Sequence, residues 1–426
     1  MSRVSRLHAG CRASLSALLA SGVACADDVP LLADHIVPIE VRQFKSADIN
    51  TIFIDVKVCD AALSCRTVPN VIVDTGSTGL HLYRKALDGL ELDAVTAPDG
   101  RPLSRWAGFG SRSMWTTVNR ARVRIGNIST DEISIALYDE ASPLDQLPAE
   151  YMEVDSRDWF VRLANGILGI SPSRHADDGY FVDLHGGKAS SKPDWRAVLV
   201  DPSLQLANPI GHFPVPYNNG SVIKLFGVGA ILAYPKLQGW LGLGIGMHTY
   251  SLFPDGGRVI SHELDADGRF PLVIGERSFD VIVDSGTNAM ALDLDHLGFT
   301  RRGNDDFWRY VAPTPTPVEL TAMFGKRKIG LAQPLYVGPA DSVFWGDAGY
   351  AAVPALVVAS KWAGGINTLG SPFFYGRTVA TGLHDSVNPF RQPGAVEGLS
   401  SSVVHDEDLA PHSPSPHGFI AYTDGA

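Results

Sequence analysis

Little in this sequence belongs to a helix, a membrane span or a metal cage. Of its four cysteines, Cys11 and Cys25 fall near the N-terminus, which leaves Cys59 and Cys65. Two cysteines this close, with no further ligands nearby, argue against a zinc site and fit a disulfide closing a small loop in an oxidising compartment. Charged residues make up only 19% of the 426, and the net charge is −11. The acidic excess argues against a nucleic-acid partner and against a polybasic membrane anchor. Long apolar runs are missing too: the most apolar stretch, Ser221 to Met247, is broken by Lys224, Pro235 and Lys236, so no membrane span is expected. Helical periodicity is rare; only Asp194 to Val200 and a turn around Leu144 to Tyr151 read as helical.

What the chain has is turns and short strands. It is 45% apolar, with 43 Gly and 28 Pro, enough for two domains with real cores. The segments His35 to Val41, Thr51 to Val58, Val118 to Ile125, Glu132 to Tyr138, Ser221 to Phe226 and Val281 to Val283 are short, β-branched and bounded by Gly, Pro, Asn or Asp, which predicts strands. The first 26 residues read as a signal peptide: Arg3, Arg6 and Arg12, then the small apolar run Ala13 to Ala24, then Ala24-Cys25-Ala26. Its removal takes away three arginines and leaves a charge of about −14. The protein is therefore expected to be exported, periplasmic or secreted, as a monomer.

One feature is doubled. Asp74-Thr75-Gly76-Ser77 follows Val71-Ile72-Val73, and Asp284-Ser285-Gly286-Thr287 follows Val281-Ile282-Val283. A second repeat runs in step with the first: Ile167-Leu168-Gly169 ends 95 positions after Asp74 (169 − 74), and Leu369-Gly370 ends 86 after Asp284 (370 − 284). Each string alone reads as a strand closed by a turn; in register they read as two copies of one supersecondary unit. Two carboxylates presented alike by two halves of a chain can share one proton and divide the roles of acid and base.

On these motifs the chain resembles the pepsin-like aspartic peptidases, with Asn165 to Ile170 and Thr368 to Tyr375 matching the segments that cross behind the two catalytic loops. Within that group it is similar to bacterial pepsin-like domains of undefined function, which share the Val-Cys…Cys run before the first Asp. The resemblance implies an all-β, bilobal fold with the active-site cleft between two similar lobes. It implies Asp74 and Asp284 as the catalytic pair, activating a water against a peptide bond. Thr75 and Ser285 are then expected to lock the loops together, Gly76 and Gly286 to permit the tight turns, and Ser77 and Thr287 to hold the outer carboxylate oxygens. No cofactor and no metal is implied, and the partner is a polypeptide substrate.

The expected organisation is a leader over 1–26, an N-terminal lobe over 27–205, a C-terminal lobe over 206–384, a flexible loop insertion over 385–417 and a final strand over 418–426. Two departures stand out. The family's flap carries a Tyr where this chain has Phe109, so Trp106 or Trp115 is the candidate for a replacement indole N–H. There is also no room between Asp27 and His35 for a basic prosegment. These departures keep an alternative open, a non-catalytic pepsin-fold protein that binds peptide or a protein partner. Asp265-Ala266-Asp267-Gly268 resembles the start of a calcium loop but lacks the later acidic ligand, and is read as a turn.

Overall fold

The computed structural model describes residues 33–424, apart from 45–48, 111, 140–156, 186–191, 230–232, 255–256, 305–306, 325, 339–348, 392–402, 405–409 and 411. The leader read over 1–26 and the turn read at Leu144 to Tyr151 lie outside the described residues.

The fold is all-β and bilobal. A sixteen-stranded sheet carries the first lobe and runs on into strands that both halves of the chain share; a nine-stranded sheet, from Phe270–Ile274 to Asn367–Leu369, carries the second lobe. The first strand, Ile36–Arg42, pairs along its full length with Lys236–Leu243, from Ile36↔Gly242 to Arg42↔Lys236. The lobes are thereby joined by main-chain hydrogen bonds, and not only by a linker.

The β-branched runs before the two aspartates sit deepest. Val71 and Val73 are fully buried, and so is Val281. Each run is the end of a strand, Cys65–Asp74 or Arg277–Val283, with a parallel neighbour on one side and antiparallel strands on the other. Val71 to Val73, covered on both faces, reads as a continuous apolar run, while in the second copy Ile282 is half-buried between Val281 and Val283. Cys59 and Cys65 close the preceding hairpin as a disulfide with Cα atoms 4.0 Å apart.

One expectation fails. Asp194 to Val200 is not helical: Trp195–Ala197 is a strand, paired with Tyr180–Asp183 in the register Phe181↔Ala197. The tertiary partner outweighs a weak local preference, because Trp195 gains an edge contact with Trp115 at 4.8 Å. Among the described residues of the first lobe, the α-helix Arg157–Leu163 places Phe160 in the core.

The two ends of the 385–417 stretch are paired: Ser386–Val387 lies antiparallel to Pro414–Ser415. Arg391, fully buried, ties them down. Its Nε donates to Glu263 Oε1 at 2.7 Å, its Nη1 to Ser413 O at 2.5 Å and its Nη2 to Ser415 Oγ at 2.8 Å. Phe390 packs beside it against Phe253 and Phe419. Removing a buried guanidinium strands its carboxylate, so Arg391→Met is expected to cost about 3–5 kcal/mol, read as a lower urea midpoint at unchanged m-value.

Candidate active site

Each aspartate sits where its strand leaves the sheet and a second strand crosses behind it. Gly166–Ile170 lies parallel to the Asp74 strand (Asp74↔Gly169) and antiparallel to Thr78–Tyr83 (Gly79↔Gly169). In the other lobe Asn367–Leu369 lies parallel to the Asp284 strand (Val283↔Leu369) and antiparallel to Met290–Leu292 (Ala291↔Thr368). The glycine that ends each crossing segment is dictated by space. A Cβ on Gly169 would stand 2.8 Å from Ser77 O, and one on Gly370 would stand 2.0 Å from Ala289 O. This close passage is the physical reason for the doubled apolar-apolar-Gly signal.

The loops then meet. Thr75 N–H donates to Ser285 Oγ at 3.0 Å, and Ser285 N–H donates to Thr75 Oγ1 at 2.9 Å. Each hydroxyl passes its own proton on, Thr75 Oγ1 to Val283 O at 3.1 Å and Ser285 Oγ to Val73 O at 2.8 Å. All four bonds cross between lobes and are buried. A buried network with every member satisfied fixes one geometry, here the relative height of the two loops.

Above that lock lie the carboxyls. Asp74 Oδ1 accepts from Gly76 N–H at 2.8 Å, and its Oδ2 accepts from Ser77 Oγ at 2.5 Å. Asp284 repeats the pattern with Gly286 N–H at 2.7 Å and Thr287 Oγ1 at 2.5 Å. Each carboxyl lies against the other loop's glycine: a Cβ on Gly76 would stand 2.4 Å from Asp284 Cγ, and one on Gly286 would stand 2.6 Å from Asp74 Cγ. Burial first, then the charge of Asp284, holds the Asp74 carboxyl well above the usual carboxylate range; the hydrogen bonds from Ser77 and Gly76 pull the other way. Asp74 is buried and Asp284 half-buried, so the first is the more desolvated of the pair. A cavity of about 240 Å³ lies next to the aspartate loops, lined by Gly76, Thr78, Ser171, Asp267, Val283 and His384 among others; neither carboxyl lines it. The Asp265–Asp267 segment on its rim is a local turn, Asp265 Oδ1 accepting from the N–H groups of Asp267 and Arg269.

The hairpin of Leu103–Phe109 and Arg112–Ile125 pairs from Ser104↔Thr117 to Phe109↔Arg112. Phe109 packs edge-on against His81 and against Phe160, each with centroids 5.2 Å apart. Trp106 and Trp115 pair across the strands on the opposite face, where Trp115 meets Phe181 and Trp195. The hairpin tip is thus seated by ring packing. The outer edge of Leu103–Phe109 is also occupied, by Tyr180–Asp183, and Arg105 donates from Nη2 to Asp178 Oδ1 at 3.1 Å.

The seat under Phe109 was not legible from sequence. His81 is a lone histidine in a strand, and nothing in its neighbours marks it. Burial, with Arg105 beside it, lowers its pKa to about 3, so above that pH it is a neutral packing ring. Ser171 and Ser371 were not read as site residues, because they stand at different offsets from the crossing glycines, two after Gly169 (171 − 169) and one after Gly370 (371 − 370). Ser171 N–H donates to Ser77 O at 3.0 Å and Ser371 N–H to Thr287 O at 2.8 Å, so each backs the residue that holds a carboxylate.

A family model described as "Protein of unknown function (DUF3443)" matches residues 32–396. The chain belongs to that family. No curated protein matches this DUF3443 chain. Among solved structures it is similar to the crystal structure of aspartic proteinase from Irpex lacteus, at 13% identity and a TM-score of 0.47, over 92% of this chain and 97% of that one.

Proposed function

We propose that this DUF3443 protein is an exported aspartic-type endopeptidase in which Asp74 and Asp284 activate a water between them. The observation that carries the reading is the reciprocal pair: two carboxyls, each set against the other loop's glycine, each with one oxygen held by its own loop's glycine N–H and the other by a hydroxyl. Structural turns do not need a buried carboxyl raised against a second one; general acid–base work does.

The chemistry follows from which carboxyl keeps its proton. The pair shares one proton, and burial, which raises the Asp74 carboxyl, favours Asp74 as its holder. Asp284 takes a proton from the water as its oxygen bonds to the peptide carbonyl carbon, and Asp74 gives its proton to the carbonyl oxygen. The tetrahedral diol then collapses: the C–N bond breaks, a proton passes to the leaving nitrogen, and the pair again holds one proton. Export and a place in the periplasm or outside the cell rest on the leader read over 1–26 and agree with the Cys59–Cys65 disulfide. No described helix is long and apolar enough to cross a membrane.

Phe109 favours the second reading, a peptide binder that does not cleave, because a phenyl ring cannot hydrogen-bond to substrate. The two readings separate on the pH dependence of cleavage of a denatured protein mixture. The singly protonated pair should work in acid. Because Asp74 is shifted upward, activity should persist above the ordinary carboxylate range and fade as Asp74 ionises. A wild-type protein that cleaves nothing at any pH from about 2 to 8, the span in which such a pair holds one proton, is the binder.

A further inference from the structure

Asn50, between Ile36–Arg42 and Ile52–Cys59, is fully buried with φ of 57°. That left-handed backbone favours Asn, Asp and Gly. Its side chain is spent entirely on the opposite lobe. Nδ2 donates to Asn288 O at 2.8 Å and to Val353 O at 2.9 Å; Oδ1 accepts from Val353 N–H at 2.6 Å and from the Tyr375 hydroxyl at 2.7 Å. Its own N–H donates to Ala351 O at 2.6 Å. Burial raises the Tyr375 pKa well above the ordinary phenol range, so that hydroxyl remains a donor.

The position of Asn288 is what matters. It directly follows Thr287, whose hydroxyl holds Asp284 Oδ2 and whose carbonyl accepts from Ser371 N–H. One amide of the first lobe therefore grips the exit of the second lobe's aspartate loop. The corresponding residue after Ser77 is Thr78, and its hydroxyl bonds within its own lobe, to Ser171 Oγ at 2.6 Å. The two carboxyls are held alike by their own loops but tethered differently across the interface.

We propose that Asn50 is a positioning residue for the aspartate pair: through Asn288 it sets the height at which the Asp284 carboxyl meets Asp74. Its kinetic consequence rests on the peptidase reading; its mechanical consequence rests on geometry alone. A fully satisfied amide that only filled space would stabilise the fold without touching turnover. One that aligns the loop should act on turnover selectively, because misplacement by about 1 Å costs on the order of a hundredfold.

The test uses three variants. Asn50→Gly tolerates the positive φ and removes all four side-chain bonds. Asn50→Asp tolerates it too and keeps the accepting oxygen, but loses both donations when ionised. Tyr375→Phe removes one bond to Asn50 and leaves both donations intact. Two readouts are taken on each purified protein: amide hydrogen exchange of peptides spanning 284–290, and kcat and KM on an unfolded polypeptide. In both Asn50 variants exchange at 284–290 is expected to rise about tenfold with Cys65–Asp74 unchanged. Their kcat is expected to fall about 10- to 100-fold at constant KM, while Tyr375→Phe keeps wild-type kcat. Unchanged exchange at 284–290, or an equal kcat loss in Tyr375→Phe, overturns the proposal. If wild type cleaves nothing but the Asn50 variants still loosen 284–290, the peptidase reading falls and the positioning of the loop stands.

Discussion

Asp74→Asn and Asp284→Asn should each reduce cleavage of an unfolded polypeptide by about four orders of magnitude or more, with the double variant no worse than either single one, because groups that act as a unit are not additive. The amide is nearly isosteric, and Gly76 N–H and Gly286 N–H still find an oxygen to donate to, so the fold should survive. The stability of Asp74→Asn also carries a sign. The Asp74 carboxyl has a raised pKa in the folded protein, so its favourable share of stability is complete below its unfolded value of about 3.8 and is lost as pH rises through the folded value. Asp74→Asn removes that loss. Its thermal midpoint should therefore gain on wild type as pH rises from acid to neutral, with the gap closing again in acid. Equal residual cleavage in wild type and both single variants would place the activity in a contaminant or at another site.

Gly76→Ala should disable the site without touching either carboxyl. A Cβ there would stand 2.4 Å from Asp284 Cγ and 2.6 and 2.7 Å from its oxygens. The carboxyl cannot step aside cheaply, since Gly286 N–H and Thr287 Oγ1 hold it on its far side. Either the loops part or Asp284 abandons its hydrogen bonds. In both cases kcat should drop by about a hundredfold or more. Gly286→Ala is the mirror experiment, its Cβ falling 2.6 Å from Asp74 Cγ. Gly330→Ala, where an added Cβ meets nothing within 4 Å, serves as the neutral control. Wild-type kcat in Gly76→Ala, with circular dichroism unchanged, would mean that the pair works with Asp284 moved off its place against Gly76.

The all-β architecture was legible because its signal is both local and repeated. Val71-Ile72-Val73 and Val281-Ile282-Val283 are apolar runs too short for helices, each ending in an Asp-x-Gly turn, and the in-step glycines Gly169 and Gly370 give the two units their common plan. The strand at Trp195 was not legible, because what decides it is Trp115, 80 positions away in the chain (195 − 115). The same holds for Asn50 and His81. Asparagine before a strand is ordinary turn chemistry, and only the crossing of the lobes brings Asn288, Val353 and Tyr375 around it. Side chains whose role is set by long-range contacts leave no trace in periodicity or spacing. The flap illustrates the middle case: sequence marks Phe109 as lacking a hydroxyl, while its ring contacts with His81 and Phe160 explain how the hairpin tip is held without one.

The order of strands in the shared sheet has a consequence for how the molecule comes into being. From Ile36–Arg42 the sheet runs through Lys236–Leu243, Gly220–Leu225 and Thr378–Gly382 to Phe419–Thr423 and then Val259–Glu263. Phe419–Thr423, the last of the described strands in chain order, is therefore an interior one, hydrogen-bonded on one side to Thr378–Gly382 and on the other to Val259–Glu263. Until it arrives, both neighbours present open edges, the kind of surface on which chains mispair and aggregate. The sheet is therefore closed only when the segment through Thr423 is in place between strands that precede it by about 40 and 160 positions (419 − 378, 419 − 259). The five residues of Phe419–Thr423 thus act as a clasp, joining two stretches of the chain that do not otherwise pair with each other in this sheet.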